Sequence, residues 1–328
     1  MQVGTVFMSF MGGPPGYRRE FGQWINEAEV LLERLSRAGF TFVAFTHSYQ
    51  SAGSGGIQPL VLLSRLAPIS VDLRLATQVL LLPLMNAMDV AYNAVTLDHI
   101  TEGRLDLGVG LGYHPLELEP FGLSRADRVP KFEESVRLMK EFWKGEPVHF
   151  RGRYHNVSGT CLNLSPVQNP HPPLWGSSQS HGASARAGRI LDGIVIGPQT
   201  TFKDVGGLLG TFRSAWSDNH VEAPERVGAW RVFLLGDSPE DGYRRGVQGG
   251  RLTFKRYHEG SMQEELREDT FQDWTISGSY RDCLAGLRRC RDELGLTHVT
   301  CQFYNLPESF EERMEWLDGF GSEVIAKL

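Results

Sequence analysis

The tract GRLDLGVGLGY, Gly103 to Tyr113, sets glycines at the alternate positions 108, 110 and 112, directly behind an apolar run. Alternate glycines strip one face of a strand of its side chains, so something must approach that backbone closely. The dinucleotide fingerprint G-x-G-x-x-G is the first comparison, and it fails. Counted from Gly108, its last glycine would fall on Tyr113. Two readings remain. A phosphate-bearing ligand lies along Gly110 and Gly112, with the Tyr113 hydroxyl and the His114 imidazole donating to its oxygens. Alternatively, Gly108 and Gly110 only relieve crowding inside a closed sheet.

A second tract, GSSQSHG, follows the apolar run PLW and precedes a helical pattern. A helix N-terminus offers unpaired N–H groups and a positive dipole end, which suits phosphate. Ser177, Ser178 and Ser180 add hydroxyl donors, although a serine there also serves as an ordinary helix cap. His47 closes the apolar run FTFVAFT. An imidazole of ordinary pKa, about 6.5, handles protons near neutrality. Other chemistries lack their motifs: there is no G-x-S-x-G, H-E-x-x-H, C-x-x-C or P-loop. Asp98, Glu102, Asp106, Glu117 and Glu119 are expected at helix termini and in a solvated loop, with no metal bound.

The elements that must position these residues alternate along the chain. Strand-like runs are VGTVF, FTFVAFT, LRLATQVLLLP, RLDLGVG, PLWGS, GIVIG, RVFLLG and THVTCQFYN. Each is followed by a helical pattern, such as Phe21 to Arg37 with Ala28, Leu31, Leu32 and Leu35 on one face. Eight nearly continuous apolar strands, each with its helix, imply a parallel sheet covered on both sides: a (β/α)8 TIM barrel in a single α/β domain over residues 1–328. Two segments stand outside the pattern, around 145–173 and 250–276, and read as insertions or lids.

Composition narrows the partners. The chain has 328 residues, 22% charged and 41% hydrophobic, with net charge −6 and pI near 6.0. No basic stripe interleaves with aromatics, so nucleic acid is not an expected partner. The apolar stretch TQVLLLPLM is too short to span a bilayer, and no basic stretch marks a signal peptide. Four cysteines without a C-x-x-C pair suit a reducing cytoplasm.

The tract TLDHITEGRLDLGVGLGY resembles the signature of the bacterial luciferase-like monooxygenase superfamily. The likeness continues through LEPFGL, FEESVRLMKEFW, GEPVHFRGRYH, PPLWGSSQSHGASARAG and ISGSYRDCLAGLRR, in the family's order. The resemblance implies a cofactor at the C-terminal mouth of the barrel, either FMN, used in reduced form, or the deazaflavin F420. It places Gly176, Ser177 and Ser180 at the flavin phosphate and His47 near the reactive part of the ring. It also places a non-prolyl cis peptide between Gln78 and Val79, behind that ring. Strands one and two end beside the flavin in this family, so Phe7, Phe10, Tyr17 and Phe45 are candidates for a substrate pocket; core packing explains them nearly as well. One departure matters: where bacterial luciferase has an arginine for the phosphate, this chain has Leu111, so another group must carry that charge. The implied activity is a monooxygenase using O2, reduced FMN from a separate NAD(P)H:flavin reductase and a small organic substrate. An F420-dependent reductase or dehydrogenase is the alternative, and a flavin-binding protein without turnover the third reading. The resemblance further implies a homodimer joined through the helices after strands two and three.

Overall fold

Residues of strand type here are apolar on both faces, and a sheet built from them needs cover on both sides. The computed structural model describes residues 1–11, 21–49, 57–70, 72–247 and 271–328. The strands are β1 (Gln2–Val6), β2 (Phe42–Phe45), β3 (Arg74–Leu81), β4 (Leu105–Gly110), β5 (Val148–Arg151), β6 (Asn156–Thr160), β7 (Leu174–Ser178), β8 (Gly193–Ile196), β9 (Val227–Leu235), β10 (Thr275–Gly278) and β11 (His298–Phe303). Eight of them close a parallel barrel in the order β1-β2-β3-β4-β7-β8-β9-β11 and back to β1. The closing ladders pair Val3 with Val299 and Ile194 with Val227. These eight are the eight runs read from the sequence. Strand β10 is an addition: it pairs with β9 over Val232–Leu235, beyond the stretch where β8 pairs.

Period-two alternation divides the strands between two cores. Val43, Phe45, Leu75, Leu105, Leu107, Ile194 and Val299 face the helices and join one large apolar cluster. Phe42, Ala44 and Ala76 form a separate cluster within the barrel. The barrel interior is also polar. The Gln78 Oε1 accepts from the Trp230 indole N–H and, at 2.9 Å, from the Thr300 hydroxyl. Asp106 accepts from Arg74 at 2.7 and 3.0 Å.

The carboxylates expected in a solvated loop are mostly buried. Asp98, Asp106 and Glu117 are each at most 6% exposed, because each is wrapped by donors. Asp98 accepts the Val167 and Gln168 N–H groups at 2.7 and 2.9 Å. This contact holds the 161–173 stretch near the end of the helix Ala87–Ile100, away from the mouth. The 145–173 segment, expected as an insertion or lid, is strapped along this helix. Its hairpin β5–β6 turns so that the N–H groups of Arg153, Tyr154 and His155 converge on Glu134 at 2.7–2.9 Å. Glu134 lies on the helix Arg128–Phe142. Most of the 250–276 insertion lies outside the described residues. No helix among the described residues is long and apolar enough to cross a membrane.

Candidate active site

His47 follows β2 at the C-terminal end of the barrel, where the strand-to-helix loops build the mouth. Its side chain is 8% exposed. Its Nδ1 accepts the Leu81 backbone N–H at 3.2 Å. That bond fixes the neutral tautomer, with the proton on Nε2. Burial pushes the pKa down to about 4. The ordinary imidazole pKa expected from the sequence is thus corrected: near neutrality this ring is uncharged and donates through Nε2.

The loop after His47 is tied across the mouth. One carboxylate oxygen of Glu117 accepts the Ser48 hydroxyl at 2.8 Å and the Tyr49 N–H at 2.7 Å. Glu117 belongs to the short helix Pro115–Leu118 after β4, so it couples the β2 and β4 loops. The Tyr49 ring lies 4.7 Å from His47 and 5.0 Å from Phe121, centroid to centroid. Burial, and then the Glu117 charge, raise the Tyr49 pKa. Neither residue was singled out for this role from the sequence. An aromatic two positions past the strand-end histidine was the available signal.

Strand β3 carries one extra residue in this region. Thr77 pairs with Leu107 and Leu80 with Val109, so three steps on β3 oppose two on β4. The Gln78–Val79 peptide bond within that bulge is cis, at the position the resemblance implies. The bulge also explains the glycines. A Cβ added at Gly108 would overlap the Thr77 carbonyl oxygen, and one at Gly110 would overlap the Val79 side chain. What approaches these glycines so closely is strand β3, so the crowding reading holds for them and the ligand reading of Gly110 gives way. Gly176 is similar: a Cβ there would strike Leu191 and Ala187 of the helix layer. Gly112 differs. Its φ is +71°, a left-handed conformation that turns the chain out of β4.

At that turn stands a cation the sequence reading missed. The Arg128 guanidinium donates to the Gly112 carbonyl oxygen. It is half-buried, and burial, then neighbouring Arg125, lower its pKa. It brings a positive charge to the residue after Leu111, the position where the resemblance implies an arginine. Its signal was the basic pair Arg125 and Arg128, three apart, beside the glycine tract.

Beside it lies the end of β7, the strand paired with β4. Ser177 and Ser180 are exposed, and Ser180 caps the helix His181–Ile190 by accepting the Ala183 N–H at 3.3 Å. Ser178 does not join them. It is 2% exposed and its hydroxyl bonds the Ser180 carbonyl at 3.0 Å and the Ser184 hydroxyl at 2.9 Å. His114 spends its Nδ1 on the Leu116 N–H at 3.3 Å as a helix cap, while Tyr113 is exposed. The exposed donors at the end of β7 are therefore Ser177, Ser180 and the helix N-terminus behind them, and Arg128 stands at the turn after the neighbouring β4. That set suits a phosphate dianion.

The expected substrate-pocket aromatics are placed differently. Phe7 and Phe10 are fully buried on the short helix Phe7–Met11. Phe7 stacks on Phe45 at 4.6 Å, and Phe10 meets Phe303 edge-on at 5.5 Å. Phe45 has the outward parity of β2 and so faces the helices. Core packing accounts for all three. Tyr17 lies outside the described residues.

Comparison with known proteins now bears on this mouth. The chain is 36% identical to an F420-dependent glucose-6-phosphate dehydrogenase of Nakamurella multipartita, over 73% of this chain and 72% of that protein. It is 27% identical to the oxygenase component of a flavin-dependent trigonelline monooxygenase of Acinetobacter baylyi, over 56% of this chain and 51% of that protein. Other curated relatives are likewise matched over only 50–63% of their own length. The crystal structure of the monooxygenase RslO1 from Streptomyces bottropensis superposes with TM-score 0.86 at 20% identity, covering 100% of this chain and 99% of that one, and so shares the fold. The family model for luciferase-like monooxygenases matches residues 1–298. The closed barrel and that match together settle the family: the chain belongs to the luciferase-like monooxygenases, oxidoreductases that work with a flavin or with F420.

Proposed function

We propose that this protein is the oxygenase component of a two-component flavin monooxygenase, taking reduced FMN from a separate NAD(P)H:flavin reductase and using O2 to oxidise a small organic substrate. The observation that carries the reading is the state of His47. Its Nδ1 is engaged by Leu81 and its Nε2 holds a proton, so it donates a hydrogen bond and does not accept a proton. Glu117 is likewise committed to Ser48 and Tyr49. Alcohol oxidation by hydride transfer needs a base at the mouth, whereas oxygen transfer needs a donor to an oxygen atom that gathers charge.

Reduced FMN, when bound, supplies the electrons that activate O2. The chain's own residues bind and orient it. Arg128, Ser177 and Ser180 would hold its phosphate, the Gln78–Val79 bulge would support its ring, and His47 would offer its Nε2–H to an acceptor oxygen. The curated oxygenase relative supports the reductase partner. F420 remains the second reading, favoured by the 36% identical dehydrogenase; a reductase using F420 would employ the same His47 donor on a carbonyl. We further propose a homodimer through the helices Pro59–Leu66 and Ala87–Ile100, on which Val61 and Tyr92 are exposed. Light scattering that finds a monomer removes that part.

Photoreduced FMN mixed with the protein and O2, with candidate substrates present, tests the activity. Substrate-dependent formation of an oxygenated product supports the reading. Turnover with reduced F420 and none with reduced FMN overturns it.

A further inference from the structure

Tyr49 and Phe121 are large rings left half in water. They are 43% and 40% exposed. They come from different loops, Tyr49 after β2 and Phe121 from the turn Glu119–Phe121 after β4. Their meeting is engineered by the chain: Glu117 clamps Ser48 and the Tyr49 N–H, bringing the two loops together. The result is a row of three rings, His47, Tyr49 and Phe121, at centroid spacings of 4.7 and 5.0 Å. Neither Tyr49 nor Phe121 belongs to an apolar cluster of the core. Tyr113 and Leu116, also exposed, lie in the same β4 loop. Exposed apolar groups gathered around a mouth mark a surface that something apolar covers.

The inner end of the row is polar. His47 Nε2 carries the proton and has no partner among the described residues, because the opposite ring nitrogen takes the Leu81 N–H. A ligand on the two outer rings thus meets a donor at its inner edge.

We propose that Tyr49 and Phe121 form the substrate-recognition slot, and that it takes a planar aromatic compound carrying a carbonyl or similar acceptor oxygen, which receives the His47 Nε2–H. The proposal rests on the functional reading above, since it takes His47 as the reacting end. Ring edges and faces give a planar substrate a preference that a flexible alkyl chain of equal carbon number does not share. The chain also loses more rotational freedom on binding.

Three eight-carbon probes separate the features: acetophenone has ring and acceptor, methyl hexyl ketone has the acceptor alone, and ethylbenzene has the ring alone. Dissociation constants are measured by NMR titration of the full chain, with and without saturating FMN. Acetophenone is expected to bind about tenfold tighter than either of the others. Tyr49→Ala and Phe121→Ala each weaken acetophenone about tenfold and leave methyl hexyl ketone within about twofold, whereas Tyr49→Phe retains the preference. FMN titration of each variant checks that the cofactor end and the fold are intact. Equal or tighter binding of methyl hexyl ketone, unchanged acetophenone affinity in both alanine variants, or no binding of any probe overturns the slot. A ring preference in a protein that binds no FMN leaves the slot and removes the functional reading. FMN binding without ring preference does the reverse.

Discussion

The Leu81 backbone N–H donates to Nδ1 of His47 across 3.2 Å, linking the end of β3 to the second residue beyond β2. The bond decides what the imidazole can do. A buried ring held as the Nε2–H tautomer, with a pKa pushed down to about 4, is a neutral donor throughout the physiological range.

Two outcomes follow for His47. The kcat/KM profile shows no inflection from this ring between about pH 5 and 8. His47→Ala slows turnover by about 10²–10³-fold, the usual loss of one donor to a charging oxygen, and His47→Gln recovers part of it. Nitrogen-15 NMR of the imidazole reads the tautomer directly. A ring that titrates near 6.5 would make His47 an acid–base residue instead.

Acid stability follows from the same physics. His298, at the start of β11, has its pKa lowered to about 4 by burial, against the nearby Asp106 charge that raises it. In the unfolded chain it titrates near 6.5, so between these values the unfolded state binds the extra proton. Stability therefore falls as pH drops from 6.5 towards 4, and His47 acts in the same direction. Each ring accounts for about 2–3 kcal/mol of that loss. Urea unfolding at neutral pH and at about pH 4.5 checks it: His298→Gln loses less on acidification than the wild type by about that amount. An equal loss would show that His298 stays accessible to protons.

The barrel was legible because its signal is repetition. Eight apolar runs, each before an amphipathic helix, leave few alternatives, and the helix Phe21–Arg37 starts and stops where its periodicity says. What periodicity misses is pairing at a distance. Asp98, Asp106 and Glu117 read as solvated because their donors come from up to seventy residues away. Phe7, Phe10 and Phe45 read as pocket because sequence shows that a ring stands near a strand end and not which face it takes. At Gly108 and Gly110 a stripped backbone face is visible in sequence, but its occupants on β3, the Thr77 carbonyl and the Val79 side chain, are not. Arg128 carries a charge that the strand end lacks, and only the fold brings it to Gly112.

The phosphate anchor makes its own prediction. FMN and riboflavin differ by the phosphate alone. Arg128→Ala and Ser177→Ala should each weaken FMN by about 1.5–3 kcal/mol and leave riboflavin nearly unchanged. Fluorescence titration measures both. Ser180→Ala is less informative, since it also removes a helix cap worth about 1 kcal/mol. Parallel losses for FMN and riboflavin would place the phosphate elsewhere.

Arg231 offers a stability test away from the mouth. It is fully buried on β9 and donates to the Thr200 and Trp274 carbonyls at 2.7 and 3.5 Å, while its Nε and Nη2 find no acceptor among the described residues. Burial lowers its pKa to about 10. A buried charge met only by two carbonyls and the face of the Phe202 ring, 5.1 Å away, costs more than a hydrocarbon of similar shape. Arg231→Met is expected to stabilise the fold by about 1 kcal/mol or more, seen as a higher urea midpoint. A clear loss of stability would mean that its bonds outweigh the desolvation.

The most direct test of the central claim is an anaerobic equilibrium titration of the protein with reduced FMN and, separately, with reduced F420, followed by admission of O2 with substrate present. An FMN-dependent oxygenase binds reduced FMN at micromolar or tighter concentrations and reduced F420 more weakly, and gives oxygenated product from the FMN sample alone. Tight binding of reduced F420 with no affinity for reduced FMN would contradict that claim.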